Sequence, residues 1–422
     1  MIEEERSITY HTVTLGDLTR EGDAAAVIAV LDSDGREQRQ ILRIPAGLPG
    51  ERVTIAVEAS PQRRPGRRSH RWKTRPPRAW ITVIHAASPR RRQARCPVFG
   101  VCGGCQLQHM GYAAQLAWKR SVVEQLLRDT GGFECPPLRE PVACDDPWHY
   151  RNHMRFSVNR MGEPGLTARG THRVLPLTCC PIADEQINRA LQVFSQIPNE
   201  RPQVLIRCGS ATGQMLVQPH PNAEVLEKLA ASGLDMRSDT FEERLAGEIY
   251  RIRPSSFFQT NTAQAEKMVE MVMQGLGPAQ AVVDAYCGVG TFALALAKYV
   301  GKVIAIEESA SAVKDAQWNL REVSNVEILK GKVEDVLSKL AEQIDGLVID
   351  PPRAGCQKVV LNALVEHPIS RVVYVSCDPA TLARDLHILC HLQPAYRLQS
   401  VQPLDMFPQT AHIECVAILE RI

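Results

Sequence analysis

The sequence lacks the features that mark membrane and secreted proteins. Its most apolar window, residues 281 to 300, contains Asp284 and Lys298, whereas a transmembrane helix needs about 20 predominantly apolar residues. The first ten residues, MIEEERSITY, are acidic and have no apolar segment of the secretory type. Aromatic residues are also scarce, at 5%, but 44% of the residues are hydrophobic and 23% are charged. We therefore expect a globular, cytoplasmic protein that does not enter a membrane.

Acidic residues are absent from one long stretch of the chain. Residues 59 to 123 contain no Asp or Glu but 14 Lys and Arg. Since the net charge of the whole chain is +2, the remaining residues together have a net charge of about −12. The stretch includes RRPGRRSHRWKTRPPR (63–78) and RRRQAR (90–95). Arginine forks match phosphate geometry, which favours a nucleic-acid partner. A solvated basic linker is the alternative.

Thirteen cysteines are unusual for a cytoplasmic chain. In that compartment they indicate reduced thiols, metal ligation or catalysis rather than disulfides. The segment CPVFGVCGGCQLQH (96–109) places Cys96, Cys102 and Cys105 within ten residues, and its double glycine lets the backbone wrap around a bulky inorganic centre. Cys180 is the strongest candidate for a fourth ligand, and its neighbour Cys179 is the alternative. An iron–sulfur cluster is favoured over a four-cysteine zinc site, which usually pairs two Cys-x-x-Cys motifs.

Length and patterning divide the 422 residues into three predicted regions. Residues 1–88 alternate short strand-like runs with turns, the pattern of a small β-barrel. The run EGDAAAVIAV…IPAGLPGERVTIAV resembles the TRAM domain, an RNA-binding barrel of the oligonucleotide-binding type; a barrel without a ligand is the alternative. Residues 89–250 form a predicted central α+β iron–sulfur domain, with a helix at 113–132 and one antiparallel sheet. Residues 251–422 alternate strands and helices, which predicts a Rossmann-like parallel sheet.

The third region begins with a glycine turn of the nucleotide-binding kind. In AVVDAYCGVGTFALALA (281–297) a buried strand leads through Gly288 and Gly290 into a helix, an arrangement that permits close approach to a ligand. The next strand, KVIAIEES, ends near Glu307, which suits a ribose diol. The adjacent Glu308 is the alternative carboxylate.

Two later strand ends carry reactive side chains. Asp350 is followed by two prolines in DGLVIDPPRAG, a motif typical of adenosylmethionine-dependent methyltransferases that act on bases. Arg353 stands where an adenine N6 enzyme usually has an aromatic residue. One strand later, Cys377 follows Ser376 in YVSCDP, where ligands bind beyond the strand ends of a parallel sheet. This combination favours a carbon-directed mechanism with a thiol nucleophile.

These motifs together resemble the iron–sulfur RNA uracil-5-methyltransferases. The resemblance rests on CPVFGVCGGCQLQH, YRNHMRFSV (150–158), CPI (180–182) and the methyltransferase motifs that follow. It implies an S-adenosylmethionine-dependent enzyme with a 4Fe–4S cluster on Cys96, Cys102, Cys105 and Cys180, in a structural or RNA-positioning role. It further implies Cys377 as nucleophile and Glu414 as base, with cofactor contacts from Gln259, Tyr286, Thr291 and Glu307, and Asp350 touching the uracil or the cofactor.

Some positions depart from the family pattern. Thr291 and Tyr286 stand where asparagine and phenylalanine are common. Lys332 occupies a cofactor position where many members have Asn or Asp, which puts its side-chain role in doubt and makes Glu334 or Asp335 possible substitutes. His412 lies two residues before Glu414 and is the competing base.

The thiol is needed because C5 of uracil is too weak a nucleophile to take a methyl group from a sulfonium. A thiolate that adds to C6 makes C5 reactive, on a base flipped out of its stack. A cytosine-5 DNA methyltransferase would place its cysteine directly after a proline, and a non-catalytic RNA-binding protein would be expected to lose Cys377 or Glu414. We expect a monomer that acts on structured RNA, with 23S ribosomal RNA favoured and transfer RNA the alternative.

Overall fold

The computed structural model describes residues 8–31, 36–58, 77–340 and 343–422. Most of the arginine-rich run at 63–78 therefore lies outside the described residues. The chain forms two compact units: Met1–Gln115 with Gln409–Ala411, and Leu116–Pro408 with His412–Ile422. The predicted boundaries at residues 88 and 250 remain predictions.

The first unit is built from β-strands around one apolar core. A three-stranded antiparallel sheet has the order β1-β4-β5, and β2 and β3 form a separate antiparallel hairpin. Buried residues from both sheets, such as Ile28, Ile44 and Ile55, share the core. The predicted β-structure is present, whereas closure into a barrel remains a prediction. The strands are β1 (Ile8–Thr14), β2 (Ala24–Leu31), β3 (Glu37–Ile44), β4 (Arg52–Glu58) and β5 (Arg78–Ala86).

The predicted helix at 113–132 is observed as α1 (Tyr112–Asp129). It ends at Asp129, just before Gly131 and Gly132, because the double glycine breaks the helical pattern. Gly132 has a φ of 76°, a left-handed conformation that glycine adopts without strain.

The second unit contains a six-stranded sheet with the order β11-β10-β9-β6-β7-β8. The prediction of a single antiparallel sheet for this region is wrong in two respects: β11 pairs with β10 in parallel, and the hairpin β12–β13 stands apart. The hairpin is separate because Phe241, Tyr250 and Ile252 are buried in the core of the C-terminal sheet. The elements are β6 (His153–Val158), β7 (Pro164–Thr167), β8 (Val174–Pro176), α2 (Glu185–Ser195), β9 (Gln203–Cys208), β10 (Gln214–Gln218), α3 (Ala223–Ala231), β11 (Asp235–Arg237), β12 (Phe241–Leu245) and β13 (Glu248–Ile252).

The C-terminal sheet has seven strands in the order β16-β15-β14-β17-β18-β20-β19. Its first five strands are parallel, as predicted, and β20 runs antiparallel to both of its neighbours. Strand order reverses between β14 and β17, the point at which open α/β sheets bind ligands. The elements are α4 (Thr262–Leu276), β14 (Ala281–Ala285), α5 (Thr291–Leu296), β15 (Lys302–Glu307), α6 (Ala310–Asn319), β16 (Val326–Lys330), α7 (Val333–Val336), β17 (Gly346–Ile349), α8 (Lys358–Glu366), β18 (Arg371–Ser376), α9 (Pro379–His387), β19 (Tyr396–Leu404) and β20 (Glu414–Arg421).

Two apolar layers cover the faces of this sheet. Val282, Val348 and Val373 point into one core, while the alternate residues Val283 and Leu347 point into the other. Burial on both faces is what a central parallel sheet requires. Among the described residues, no helix is both long and apolar enough to cross a membrane.

Candidate active site

The turn between β14 and α5 leaves open space above its backbone. Tyr286, Gly288 and Gly290 have φ values of 63°, 57° and 89°. A Cβ atom placed on Gly288 would meet nothing within 4 Å. A turn with this shape accommodates a ligand against the main chain, which fits the predicted position of the adenosylmethionine.

Glu307 holds this turn in place from the end of β15. One carboxylate oxygen accepts the N–H of Gly288 at 2.9 Å, and the other accepts the N–H of Ser309 at 2.7 Å. Two backbone hydrogen bonds therefore orient the carboxylate of Glu307, the residue predicted to bind the ribose diol. Glu308, the alternative, is exposed and has no such bond to the turn among the described hydrogen bonds.

Asp284 is a buried residue of β14 to which the sequence reading gave no role. Burial raises the pKa of Asp284 well above its ordinary value; the nearby Ala293 N–H opposes this, and the carboxylates of Asp350 and Glu307 add to it. Neither carboxyl oxygen of Asp284 has a hydrogen-bond partner among the described residues. A carboxyl group within an otherwise apolar strand was the sequence signal that could have identified it. Asp284 thus belongs to the carboxyl groups that surround the strand ends.

Two further residues predicted to bind the cofactor, Thr291 and Gln259, have their main chains held by hydrogen bonds from other side chains. Thr291 is the first residue of α5, and its carbonyl accepts the hydroxyl of Tyr250 at 3.1 Å. Gln259 precedes α4, and its carbonyl accepts the side-chain amide of Asn152 at 3.0 Å. Both hydrogen bonds use the main-chain carbonyls and do not involve the side chains of Thr291 and Gln259. Lys332 caps α7 without a side-chain hydrogen bond to the helix.

Asp350, Cys377 and Glu414 meet at one edge of the sheet. Asp350 directly follows β17, and Cys377 directly follows β18. Because β20 runs antiparallel to β18, with Ser376 paired to Cys415, its first residue, Glu414, lies at the same edge. The tertiary pairing thus brings the predicted nucleophile and base together although 37 residues separate them.

The surroundings of Cys377 keep its thiol protonated. Burial raises the pKa of Cys377 to about 12, the carboxylates of Glu414 and Asp350 add to this, and Arg353 opposes it. The N-terminus of α9, which begins two residues later, also favours a thiolate. Arg353 and the helix terminus are thus the groups in this environment that favour the thiolate.

The two carboxyl groups beside the thiol also have raised pKa values. Burial raises the pKa of Asp350 to about 7. Burial, and then the charge of Asp350, hold the pKa of Glu414 well above its ordinary value, against the effect of Arg353. A carboxylate of this kind is a stronger base than an exposed one, which suits proton abstraction from carbon.

The strand that carries Cys377 stops because the next residues begin a helix. Asp378 is the N-cap of α9 and accepts the N–H groups of Ala380 and Thr381, and Pro379 is its first residue. The Ser376 hydroxyl donates to the Asp378 carbonyl at 3.1 Å. The thiol is therefore fixed between a strand end and a well-capped helix.

His412 is placed less favourably than Glu414 to act as base. Its Nδ1 lies 3.1 Å from Nη2 of Arg353, which donates to it. Burial first, and then the charges of Arg353, Lys119 and Arg151, together lower the pKa of His412 to about 4, against the effect of Asp378. A neutral imidazole with so low a pKa is a weak base. The sequence analysis noted Arg353 only because adenine N6 enzymes usually have an aromatic residue there. In the structure its positive charge lowers the pKa values of both Cys377 and Glu414.

The predicted cluster ligands are divided between the units. Cys96, Cys102 and Cys105 lie in the first unit and Cys180 in the second. The Gly104 N–H points at the Cys102 sulfur at 3.4 Å. No group of three or more His, Cys, Asp or Glu side chains is arranged to hold a metal ion within the described ranges. All thirteen cysteines lie in those ranges and none forms a disulfide.

Comparison with known proteins agrees with these features. Residues 224–422 match the family model described as tRNA (uracil-5-)-methyltransferase. An uncharacterized RNA methyltransferase from Gloeobacter violaceus is 37% identical over 394 residues, which cover 81% of this chain and 85% of the relative. One from Halalkalibacterium halodurans is 32% identical, with coverage of 97% and 96%.

A solved structure shows the same fold. The tRNA (uracil-54, C5)-methyltransferase of Pyrococcus abyssi, crystallised with S-adenosyl-L-homocysteine, superposes with a TM-score of 0.71 at 24% identity, over 97% of this chain and 99% of that one. The sequence relatives and the family model together identify the enzyme class. The chain belongs to the RNA (uracil-5-)-methyltransferase family.

Proposed function

We propose that this protein methylates C5 of a uridine in structured RNA through a covalent bond between Cys377 and C6 of the uracil. The convergence of Cys377, Glu414 and Asp350 beyond the strand ends, beside the glycine turn, carries the proposal. S-adenosylmethionine supplies the methyl group, and Gln259, Tyr286, Thr291 and Glu307 are the residues that would hold it.

The first step forms the bond between the Cys377 sulfur and C6. The thiol gives up its proton to solvent, the thiolate attacks C6, and the C5=C6 electron pair moves towards O4 as an enolate. C5 then attacks the sulfonium methyl group, which leaves S-adenosylhomocysteine. Arg353 favours this step because its charge stabilises the thiolate against the neighbouring carboxylates.

The second step releases the product. Glu414 takes the proton that remains on C5, the C5=C6 double bond re-forms, and the Cys377 thiolate leaves. Asp350 supports this step, since its charge raises the pKa of Glu414 and makes it a stronger proton acceptor. The sum is uridine and S-adenosylmethionine converted to 5-methyluridine, S-adenosylhomocysteine and a proton.

The direct test uses purified protein, methyl-labelled S-adenosylmethionine and RNA from a strain without the gene. Digestion to nucleosides should place the label in 5-methyluridine. Label in another nucleoside would contradict the proposal.

For the substrate we propose a uridine of 23S ribosomal RNA, reached in the cytoplasm by a monomeric enzyme. The arginine-rich run and the cysteine-rich segment support a large structured RNA. Transfer RNA is the second candidate, favoured by the fold shared with the Pyrococcus abyssi enzyme. Mapping 5-methyluridine in both RNA pools of the deletion strain separates them: the pool that loses a site contains the substrate.

We also propose that the first unit is an RNA-binding TRAM domain. Tyr10 and Trp80 flank Ala56 across the three-stranded sheet and are 65% and 38% exposed. Ala56 is 1% exposed and, unlike its neighbours Ile55 and Val57, is not part of the apolar core of this unit. Exposed aromatic rings on such a sheet are suited to stack on bases.

A 4Fe–4S cluster on Cys96, Cys102, Cys105 and Cys180 completes the proposal. The spacing of the cysteines and the Gly104 N–H directed at Cys102 support it. A zinc site is the alternative, and it usually pairs two Cys-x-x-Cys motifs, whereas Cys102 and Cys105 form only one such spacing here. We assign the cluster no part in the methyl transfer.

A further inference from the structure

The segment that leads from β19 to β20 accepts hydrogen bonds from side chains at four consecutive main-chain carbonyls. Residues 405 to 413 close the hairpin in which Leu404 pairs directly with Glu414. Its first four main-chain carbonyls each accept a hydrogen bond from a different side chain. The bonds are Gln264 to the Asp405 carbonyl (3.0 Å), Asn261 to Met406 (3.2 Å), Lys119 to Phe407 (3.0 Å) and Tyr150 to Pro408 (3.0 Å).

The four donors are buried and come from separate parts of the second unit. Lys119 lies on α1, Tyr150 precedes β6, Asn261 caps α4, and Gln264 lies in its first turn. Each is at most 7% exposed. Buried carbonyls must be paired in any protein, so pairing alone indicates no function. The place of this segment, beside the proposed base, is what distinguishes it.

Lys119 is an unusual choice for a purely structural role. Its ammonium group is buried and also binds Oδ1 of Asp405 at 2.5 Å. The other carboxylate oxygen of Asp405 has no hydrogen-bond partner among the described residues. Apolar residues of similar volume usually stabilise a protein as well as a buried ion pair or better, whereas an ion pair specifies one geometry.

The fastened segment also adjoins the residues proposed to hold the cofactor. Asn261 lies two residues after Gln259, and the side chain of Asn152 donates to the Gln259 carbonyl at 3.0 Å. The donor that holds the Met406 carbonyl therefore belongs to the same short segment as a cofactor contact.

We propose that Lys119 and Tyr150 are positioning residues for Glu414. By holding residues 405 to 408 they fix the end of the β19–β20 hairpin, where Leu404 pairs with Glu414. They thereby fix the Glu414 carboxylate, which removes the C5 proton. This inference rests on the proposed covalent mechanism and predicts that loss of either donor slows release of the product after methyl transfer.

The test uses Lys119→Met and Tyr150→Phe in the full-length enzyme. Tyr150→Phe removes only a hydroxyl, so it remains informative if Lys119→Met fails to fold. With undermodified RNA and methyl-labelled S-adenosylmethionine, we expect methylated covalent adduct to accumulate and turnover to fall by about ten-fold or more, since misplacement by 1 Å costs up to about a hundred-fold. Single-turnover methyl transfer should keep its rate.

Asn325→Leu is the matched control. Asn325 also donates to two main-chain carbonyls, those of Ala297 and Val300, within the same unit, and its loss should leave the adduct level unchanged. Equal losses of methyl transfer and turnover in the Tyr150 variant, without accumulated adduct, would overturn the positioning role. Absence of adduct in a parallel Glu414→Gln sample would instead overturn the covalent mechanism, and the inference with it.

Discussion

Two carboxyl groups at the candidate active site, one of them the proposed base, ionise only at a raised pH. Asp350 and Glu414 both have raised pKa values, and Asp350 contributes to the shift at Glu414. The two groups therefore titrate as a coupled pair, and the apparent pKa values belong to the pair. The base must be ionised to take the C5 proton, so product release should slow as the pH falls.

The first prediction concerns this pH dependence. Because burial and the charge of Asp350 raise the pKa of Glu414 well above its ordinary value, the rate of product release should fall as the pH is lowered through that raised range. Asp350→Asn removes a negative charge that raises the pKa of Glu414, so the acid limb should move to lower pH. Single-turnover rates of adduct decay between pH 5 and 9 measure this shift. If the acid limb of the pH–rate profile stays in place in Asp350→Asn, Asp350 does not face Glu414.

Residues differ in how far the sequence alone identified them. Cys377 and Asp350 could be predicted because each follows a strand whose composition marks it as buried. Glu414 was proposed from family resemblance only, since its position depends on an antiparallel pairing with β18 that no local pattern encodes. Arg353 could not be assigned for the same reason: its effect on Cys377 arises from a contact made in three dimensions.

At the scale of elements, strand ends and turns determine where ligands bind. The β14–α5 turn was predicted from its glycines, and the left-handed conformations at Gly288 and Gly290 explain why they are there. The β12–β13 hairpin was misassigned because alternation identifies a strand but not its partner. Its burial against the C-terminal sheet is a tertiary property.

The second prediction compares two glycines with similar backbones. Gly288 and Gly247 both have positive φ values, 57° and 80°, and a Cβ on either meets nothing within 4 Å. Alanine at either position should cost about 1–2 kcal/mol of stability, since both must remain left-handed. Only Gly288→Ala should weaken binding of S-adenosylmethionine, because only that turn faces the cofactor.

Calorimetric titration and thermal unfolding of the two glycine variants separate the effects. Equal cofactor affinity in both variants would place the cofactor elsewhere than above the β14–α5 turn.

At the scale of the whole molecule, charge is distributed unevenly along the chain. Of the 14 positive charges in the acid-free stretch, 12 belong to the first unit, and the exposed rings of Tyr10 and Trp80 lie on the sheet of that unit. Phosphate contacts and base stacking respond differently to salt, so their contributions can be separated.

The third prediction uses this difference. Replacing Arg67, Arg68, Arg71 and Arg75 with glutamine should weaken RNA binding and reduce the salt slope by about one unit per lost phosphate contact. Tyr10→Ala should weaken binding without changing the slope, and Tyr299→Ala, an exposed tyrosine of the second unit, should do neither. Fluorescence anisotropy over a range of salt concentrations measures all three. An unchanged slope in the arginine variant would mean that the run does not contact phosphates.

The fourth prediction concerns the metal. Protein purified without oxygen should be brown and contain about four irons, as one cluster with four cysteine ligands requires. Cys102→Ala or Cys180→Ala should bleach it, whereas replacement of the exposed Cys135 should not. Stoichiometric zinc without iron would contradict the cluster.

The most direct test of the central claim is a denaturing gel of enzyme incubated with labelled RNA and S-adenosylmethionine. Cys377→Ala should bind RNA but form no covalent band and no 5-methyluridine, because C5 is never activated. Glu414→Gln should accumulate a slow band that contains the transferred methyl group, because the C5 proton remains and the thiol cannot leave. Methylation by Cys377→Ala, or normal turnover by Glu414→Gln without a band, would contradict the account.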